Sequence, residues 1–274
     1  MEFITIKVNC PVDLIDVLIA ELFEVSFDSF QEFDDGFEGS CDKSEFSEKI
    51  VNEIFSNYSN VSFAIKEQEK VNWNEEWEKN YDPIIVEDKC IVRASFHNPQ
   101  PQFEYEIVVT PKMSFGTGHH ATTYQALAYQ MKLDHQDKKI LDVGTGTGIL
   151  AIMAKKRGAS KIVVTDIDDW CIENSKENFA LNNVNDVRLI QGQIEEVEEL
   201  GFDIVIANIN KNVLMDQINE YAMRLKTDGQ LLLSGFYEED VEDLVTEASK
   251  YQLKKIQTTS KDRWAMVALI KYSV

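Results

Sequence analysis

The 274-residue chain carries 27 Lys and Arg against 48 Asp and Glu, a net charge of −21 that works against tight binding to a phosphate backbone. Its longest apolar runs, such as Ile204–Ala207 and Leu231–Leu233, fall far short of the roughly 18 residues that a membrane-spanning helix needs. Four scattered cysteines without metal spacing, Cys10, Cys41, Cys90 and Cys171, and an N-terminus without a basic-then-apolar leader predict a cytoplasmic monomer with free thiols and no bound metal.

Residues 1–67 read as a separate small domain. Phe3–Val8 alternates like a strand, and Pro11 opens a helical spacing through Leu14, Leu18 and Leu22. Ser26–Phe33 and Gly36–Cys41 are strand candidates split by Asp34-Asp35-Gly36, a hairpin signal. Ser44–Tyr58 has a helical stripe at Phe46, Ile50, Ile54 and Phe55, and Val61–Ile65 closes with a strand. The order β-α-β-β-α-β predicts a ferredoxin-like α+β sandwich. It contains no histidine and no catalytic constellation, so it reads as a recognition module. Residues 1–82 hold 6 Lys and Arg against 20 Asp and Glu, a surface suited to a basic protein partner rather than to nucleic acid.

Residues 68–83 place Trp73, Trp77 and Tyr81 four apart, one face of an expected linker helix. From Ile84, short strands lead to Ile107–Val109. Beyond residue 139, strand and helix patterns alternate: Ile140–Val143, Ile149–Lys156, Ile162–Asp166, Trp170–Leu181, Val187–Ile190, Phe202–Ile206, Val213–Leu225, Gln230–Leu233 and Val241–Ala248. Residues 84–274 are therefore expected to form an α/β domain with a doubly wound, mostly parallel sheet. The last two strands, near Leu253–Gln257 and Trp264–Ile270, have no helix between them and should form an antiparallel hairpin.

The first strand of that alternation runs into Asp142-Val-Gly144-Thr-Gly146-Thr-Gly148. Glycines let the backbone turn sharply and let a ligand approach the main chain. The dinucleotide fingerprint needs glycine where Ile149 stands, and the Gly-Lys-Ser/Thr of a P-loop is absent. Asp142 leads the loop, and an acid there suits a ligand with ammonium and sulfonium charges. Asp166 ends the second strand, where a ribose diol can donate two hydrogen bonds to its carboxylate. Loop, second-strand acid and final hairpin together indicate S-adenosylmethionine, held by Gly144, Gly146, Asp142 and Asp166. The strand at Ile204–Ala207 delivers Asn208 to the crevice where a methyl group would be transferred; Asn210 could share that role or cap the next helix.

The segments FGTGHHATT (115–123), LDVGTGTGIL (141–150), VVTDID (163–168) and IANIN (206–210), behind a small domain and WNEEWEKNYDPI, resemble the bacterial ribosomal-protein methyltransferase family PrmA. The resemblance is strong from about residue 73 to 235 and rests on element order alone over 1–67. It implies a seven-stranded methyltransferase sheet, S-adenosylmethionine as methyl donor, and methylation of lysine and N-terminal amines on the eleventh protein of the large ribosomal subunit. It carries the family's cofactor contacts to Thr123, Gly144, Asp166 and Asn208, with Phe115 nearby and Asn208 at the point of transfer. The chain departs from the pattern at His119-His120-Ala121, where many members have Thr-His-Pro, and at Asn210, where others have leucine.

Adjacent histidines point in different directions on any regular element, so His119 and His120 do not suggest a shared metal. The stretch reads as a glycine-hinged lid feeding a helix from about His119 to Met131. Its first turn presents Thr122 or Thr123 to the methionine end of the cofactor, and Phe115 packs on the sulfonium region. Two other readings stay open. A small-molecule or nucleobase amino-methyltransferase is one, although enzymes acting on planar amides carry Asn-Pro-Pro-Tyr where this chain has Asn208-Ile-Asn-Lys211. A non-catalytic S-adenosylmethionine-binding regulator is the other.

Overall fold

A computed structural model describes residues 2–69, 81–112 and 114–273. The chain divides into two units, Met1–Tyr81 and Asp82–Val274. Trp73 and Trp77 of the expected linker helix lie outside the described residues.

The first unit contains β1 (Glu2–Asn9), α1 (Val12–Phe23), β2 (Ser29–Phe33), β3 (Gly36–Asp42), α2 (Glu48–Phe55) and β4 (Ser62–Glu69). Its antiparallel sheet has the order β2-β3-β1-β4. Alternate residues Ile4, Ile6 and Val8 of β1 face Leu18 and Leu22 of α1 and Val51 and Phe55 of α2 in one apolar core. Several boundaries differ from those expected. Ser26 takes a left-handed φ of 76°, which delays β2 to Ser29. Asp42 Oδ1 accepts hydrogen bonds from the Ser44 amide (2.8 Å) and hydroxyl (2.6 Å), an Asx turn that holds back α2 until Glu48. β4 runs on to Glu69 because β1 offers it a full-length partner, Glu2 opposite Glu69.

The second unit opens with a three-stranded sheet of β5 (Ile84–Val86), β6 (Cys90–Ala94) and β7 (Tyr105–Val109). It continues through α3 (Ala121–Gln130), β8 (Lys139–Val143), α4 (Ile149–Lys156), β9 (Lys161–Asp166), α5 (Asp169–Leu181), β10 (Val187–Gln191), β11 (Phe202–Asn208), α6 (Lys211–Arg224), β12 (Leu225–Tyr237), α7 (Val241–Ser249), β13 (Leu253–Lys261) and β14 (Trp264–Lys271). The seven-stranded sheet has the order β10-β9-β8-β11-β12-β14-β13. β14 runs antiparallel to both neighbours, and the pairings from β10 to β12 are parallel.

Near-continuous Ile, Val and Leu in β8, β9 and β11 reflects burial on both faces, the rule for parallel strands between helices. The chain leaves β8 toward β9 and β10, then returns to β11 on the other side of β8. The carboxyl ends of β8 and β11 therefore frame the switch-point crevice. The closing hairpin turns on Asp262 and Arg263, both at positive φ (53° and 69°), the signature of a type I′ turn.

Below α3, His135 is buried with Nε2 3.2 Å from Gln130 Oε1 and Nδ1 3.2 Å from the Leu133 carbonyl. Burial, aided by the Arg157 guanidinium and opposed by the Leu133 carbonyl and Asp134, pushes its pKa from 6.5 down to about 4. The unfolded chain takes up a proton below about pH 6.5 that the folded chain refuses until about pH 4. The stability tied to the neutral ring is thus whole above pH 6.5 and lost as pH falls through 4, about 3 kcal/mol in all. Thermal unfolding of His135→Gln is expected to show a smaller drop in Tm between pH 7 and pH 4.5 than the parent chain; parallel pH profiles would refute the coupling.

Candidate active site

The crevice opens as a cavity of about 670 Å³, a size typical of small-molecule sites. Phe115, Gly144, Gly146, Asp166 and Asn208, five of the seven residues singled out in the sequence, line it. His120, Thr122, Trp170, Ile209, Gly235 and Trp264 also contribute to the wall.

Its floor is the loop between β8 and α4. Gly144 and Gly146 have φ of 69° and 54°, the left-handed region, and a Cβ at Gly144 would lie 2.4 Å from Ile209 Cγ2. The Gly144 and Thr145 amides donate to the Thr165 carbonyl at 2.9 and 3.0 Å, tying the loop to the end of β9. Asp166, at that end, accepts the Gly146 amide at Oδ2 (2.9 Å) and the Asp168 amide at Oδ1 (3.2 Å). Each oxygen keeps lone-pair capacity for a diol entering from the cavity.

Asp142 stands apart from the expectation that it touches the ligand: it is buried beneath the loop and not on the cavity wall. Thr145 Oγ1 donates to its Oδ2 at 2.6 Å. Burial foremost, with Asp166's charge adding and the Thr145 hydroxyl opposing, pushes its pKa up to about 7. It supports the loop from below.

The segment before α3 forms another wall, anchored to the glycine loop. The Thr147 amide donates to the Phe115 carbonyl at 3.0 Å and Thr147 Oγ1 to the Gly116 carbonyl at 2.6 Å. α3 starts two residues later than expected, since His120 is extended (φ −75°, ψ 139°) and caps it through Nδ1, which accepts the Thr122 amide at 3.4 Å. The two histidines diverge. His119 Nδ1 lies 3.2 Å from Thr117 Oγ1, while the His120 ring meets Phe115 and Trp264 edge-on, with centroids 5.3 and 4.5 Å away. Burial lowers the His120 pKa, favouring the neutral ring. Trp264 in turn packs on Tyr237 at 4.3 Å. Phe115, His120 and Trp264 make an apolar side wall of the crevice, and Phe115 is 53% exposed.

Asn208 closes the far end, delivered by β11 and 8% exposed. Its Nδ2 donates to Thr123 Oγ1 (3.3 Å), and Ser234 Oγ donates to its Oδ1 (2.8 Å). Thr123 is thus placed behind Asn208, while Thr122 meets the cavity. Asn210 accepts the Val213 amide at 3.2 Å and caps α6, and it also lines the cavity. Asp166, Asp168 and Cys171 each bring one ligand atom within 4.8 Å of the others. Burial, the largest cause, raises the Cys171 pKa.

Sequence reasoning missed Trp264, Ile209, Trp170 and Ser234. Trp264 was legible only as a strand start, and no local motif marks Ser234, which reaches the site by lying beside Asn208 in the parallel pairing.

A family model described as ribosomal protein L11 methyltransferase (PrmA) matches residues 22–271. The ribosomal protein L11 methyltransferase of Porphyromonas gingivalis is 41% identical over 256 residues, covering 91% of this chain and 88% of that protein. That of Bacteroides fragilis is 38% identical over 267 residues, 95% of each. The crystal structure of a ribosomal protein L11 methylase from Lactobacillus delbrueckii subsp. bulgaricus superimposes with a TM-score of 0.66 at 28% identity, covering 70% of this chain and 100% of that one. The residues present fit S-adenosylmethionine: the glycine floor leaves room where any Cβ would intrude, Asp166 offers acceptors for ribose hydroxyls, and aromatic faces flank the space where a sulfonium would sit. This chain is an S-adenosylmethionine-dependent methyltransferase and belongs to the ribosomal protein L11 methyltransferase (PrmA) family.

Proposed function

We propose that the protein methylates amino groups, lysine side chains and the N-terminal α-amine, of ribosomal protein L11. The observation that carries this reading is Asn208 at the crevice end of β11, with its amide held between two hydroxyls and its face open to the cavity. When bound, S-adenosylmethionine supplies an activated sulfonium methyl. The glycine loop and Asp166 would hold it by backbone approach and ribose hydrogen bonds, with Phe115 offering its ring face to the sulfonium.

The acceptor must arrive as a neutral amine. For a lysine of ordinary pKa that costs about 4 to 5 kcal/mol at pH 7. The apolar wall of Phe115, His120 and Trp264 disfavours the ammonium relative to the neutral amine within the site, and the proton leaves to water as the chain seats. Asn208 Oδ1 accepts an N–H of the amine and turns its lone pair toward the methyl, so the residues contribute chiefly alignment.

Residues 1–67 serve as the recognition domain for this basic substrate, with residues 68–83 as the linker to the methyltransferase domain of residues 84–274. The acidic excess over residues 1–82 attracts the ribosomal protein. Labelled S-adenosylmethionine incubated with the enzyme and purified ribosomal protein L11 is expected to label lysines and the N-terminus, read by mass spectrometry of the digest, at a rate that falls as salt rises. Label found only in small molecules, or cofactor bound without transfer, would overturn the assignment; a salt-independent rate would overturn charge-guided capture alone.

A further inference from the structure

Ser234 sits in β12 amid Leu231, Leu232, Leu233 and Phe236, and is 2% exposed. A hydroxyl buried in such surroundings requires a partner, and this one's donor goes to Asn208 Oδ1, its register neighbour across the parallel pairing. The 2.8 Å distance matches an O–H···O bond, while the 3.3 Å to Thr123 Oγ1 on the other side is that of a long N–H···O contact. The amide is thereby given a sense: Oδ1 toward β12, Nδ2 toward α3.

An asparagine amide turned over by half a turn has nearly the same shape but exchanges acceptor for donor. In the flipped sense, Nδ2–H would face the acceptor amine and donate to the very lone pair that must attack the methyl. Binding would survive, whereas productive alignment would not. We propose that Ser234 is a positioning residue for methyl transfer, its hydroxyl holding Asn208 in the one amide orientation that leaves an Oδ1 lone pair for the acceptor N–H. Thr123 holds the opposite edge. The inference rests on the reading that Asn208 orients the acceptor.

The test compares Ser234→Ala and Ser234→Thr in the full chain, each in the parent and the Asn208→Ala backgrounds, under single-turnover conditions with enzyme in excess of ribosomal protein L11. Ser234→Ala is expected to lower the transfer rate about 10- to 100-fold, the scale of a misaligned reacting group, with the acceptor KM and the cofactor Kd unchanged. Ser234→Thr keeps the hydroxyl and should restore most of the rate. In the Asn208→Ala background Ser234→Ala should change nothing further, since there is no amide left to orient. An equal fold loss in both backgrounds, a loss confined to Tm, or a loss that the threonine variant does not relieve would overturn the proposal. Failure of the parent reading is separately visible, as Asn208→Ala would then transfer methyl groups at the parental rate.

Discussion

Replacing Asn208 by alanine is expected to lower the single-turnover methyl-transfer rate by a factor of about 100 or more, equivalent to about 2.7 kcal/mol of lost transition-state stabilisation. Cofactor affinity should fall much less, because the glycine loop and Asp166 are untouched. The side chain occupies the end of a strand locked on both sides, with β8 on one edge and β12 on the other, so truncation removes the polar group without releasing the backbone. The fair comparison is His97→Ala. His97 is an ionisable ring in the same unit, but it serves the β6–β7 connection, accepting the Ala94 amide at Nδ1 (3.1 Å), and does not line the cavity. If the two variants transfer methyl groups at equal rates, the assignment of Asn208 to alignment is wrong. A large loss of cofactor binding with little further loss of rate would instead move Asn208 from acceptor alignment to cofactor holding.

The parts legible in the sequence share a physical cause: they are local. Alternating glycines after a buried strand mark a sharp turn, and an acid at the end of the next parallel strand is placed by the strand itself, so Gly144, Gly146 and Asp166 were found from spacing alone. Asn208 followed from the same rule applied to β11. What escaped depends on pairing between distant segments. Ser234 is 26 residues from Asn208, and Thr123 is 85 residues from it; only the register of β11 with β12 and the seat of α3 bring them together. Asp142 lies off the cavity wall for a related reason. An acid at that position of the loop can face the ligand or the helix beneath, and the short bond from Thr145 draws it under the loop. The late start of α3 turned on a single side chain, since His120 spends Nδ1 on the cap rather than joining the helix.

Gly146→Ala is expected to weaken binding of S-adenosylmethionine and of its demethylated product about 100-fold or more, as measured by calorimetry. Two effects act there. The first is conformational, for φ is 54°, and an alanine in the left-handed region costs about 1–2 kcal/mol. The second is steric: a Cβ would lie 2.3 Å from the Phe115 carbonyl oxygen, far inside contact distance. That oxygen cannot simply retreat, as it accepts the Thr147 amide, while Thr147 Oγ1 grips the neighbouring Gly116 carbonyl. Relief must come from parting the Phe115 segment from the glycine loop or from shifting the Gly146 amide off Asp166, and either motion spoils a wall of the cavity. Gly201→Ala separates the two effects. Gly201 also has a positive φ, 74°, yet a Cβ there meets nothing within 4 Å. It should therefore lower Tm by its backbone strain while leaving cofactor affinity intact. Equal affinity losses in the two variants would mean that general destabilisation, and not the close approach of Phe115 to the loop, governs binding. An unchanged affinity in Gly146→Ala would show that the loop can part from the Phe115 segment at no expense to the site, and the account of the glycine floor would fail with it.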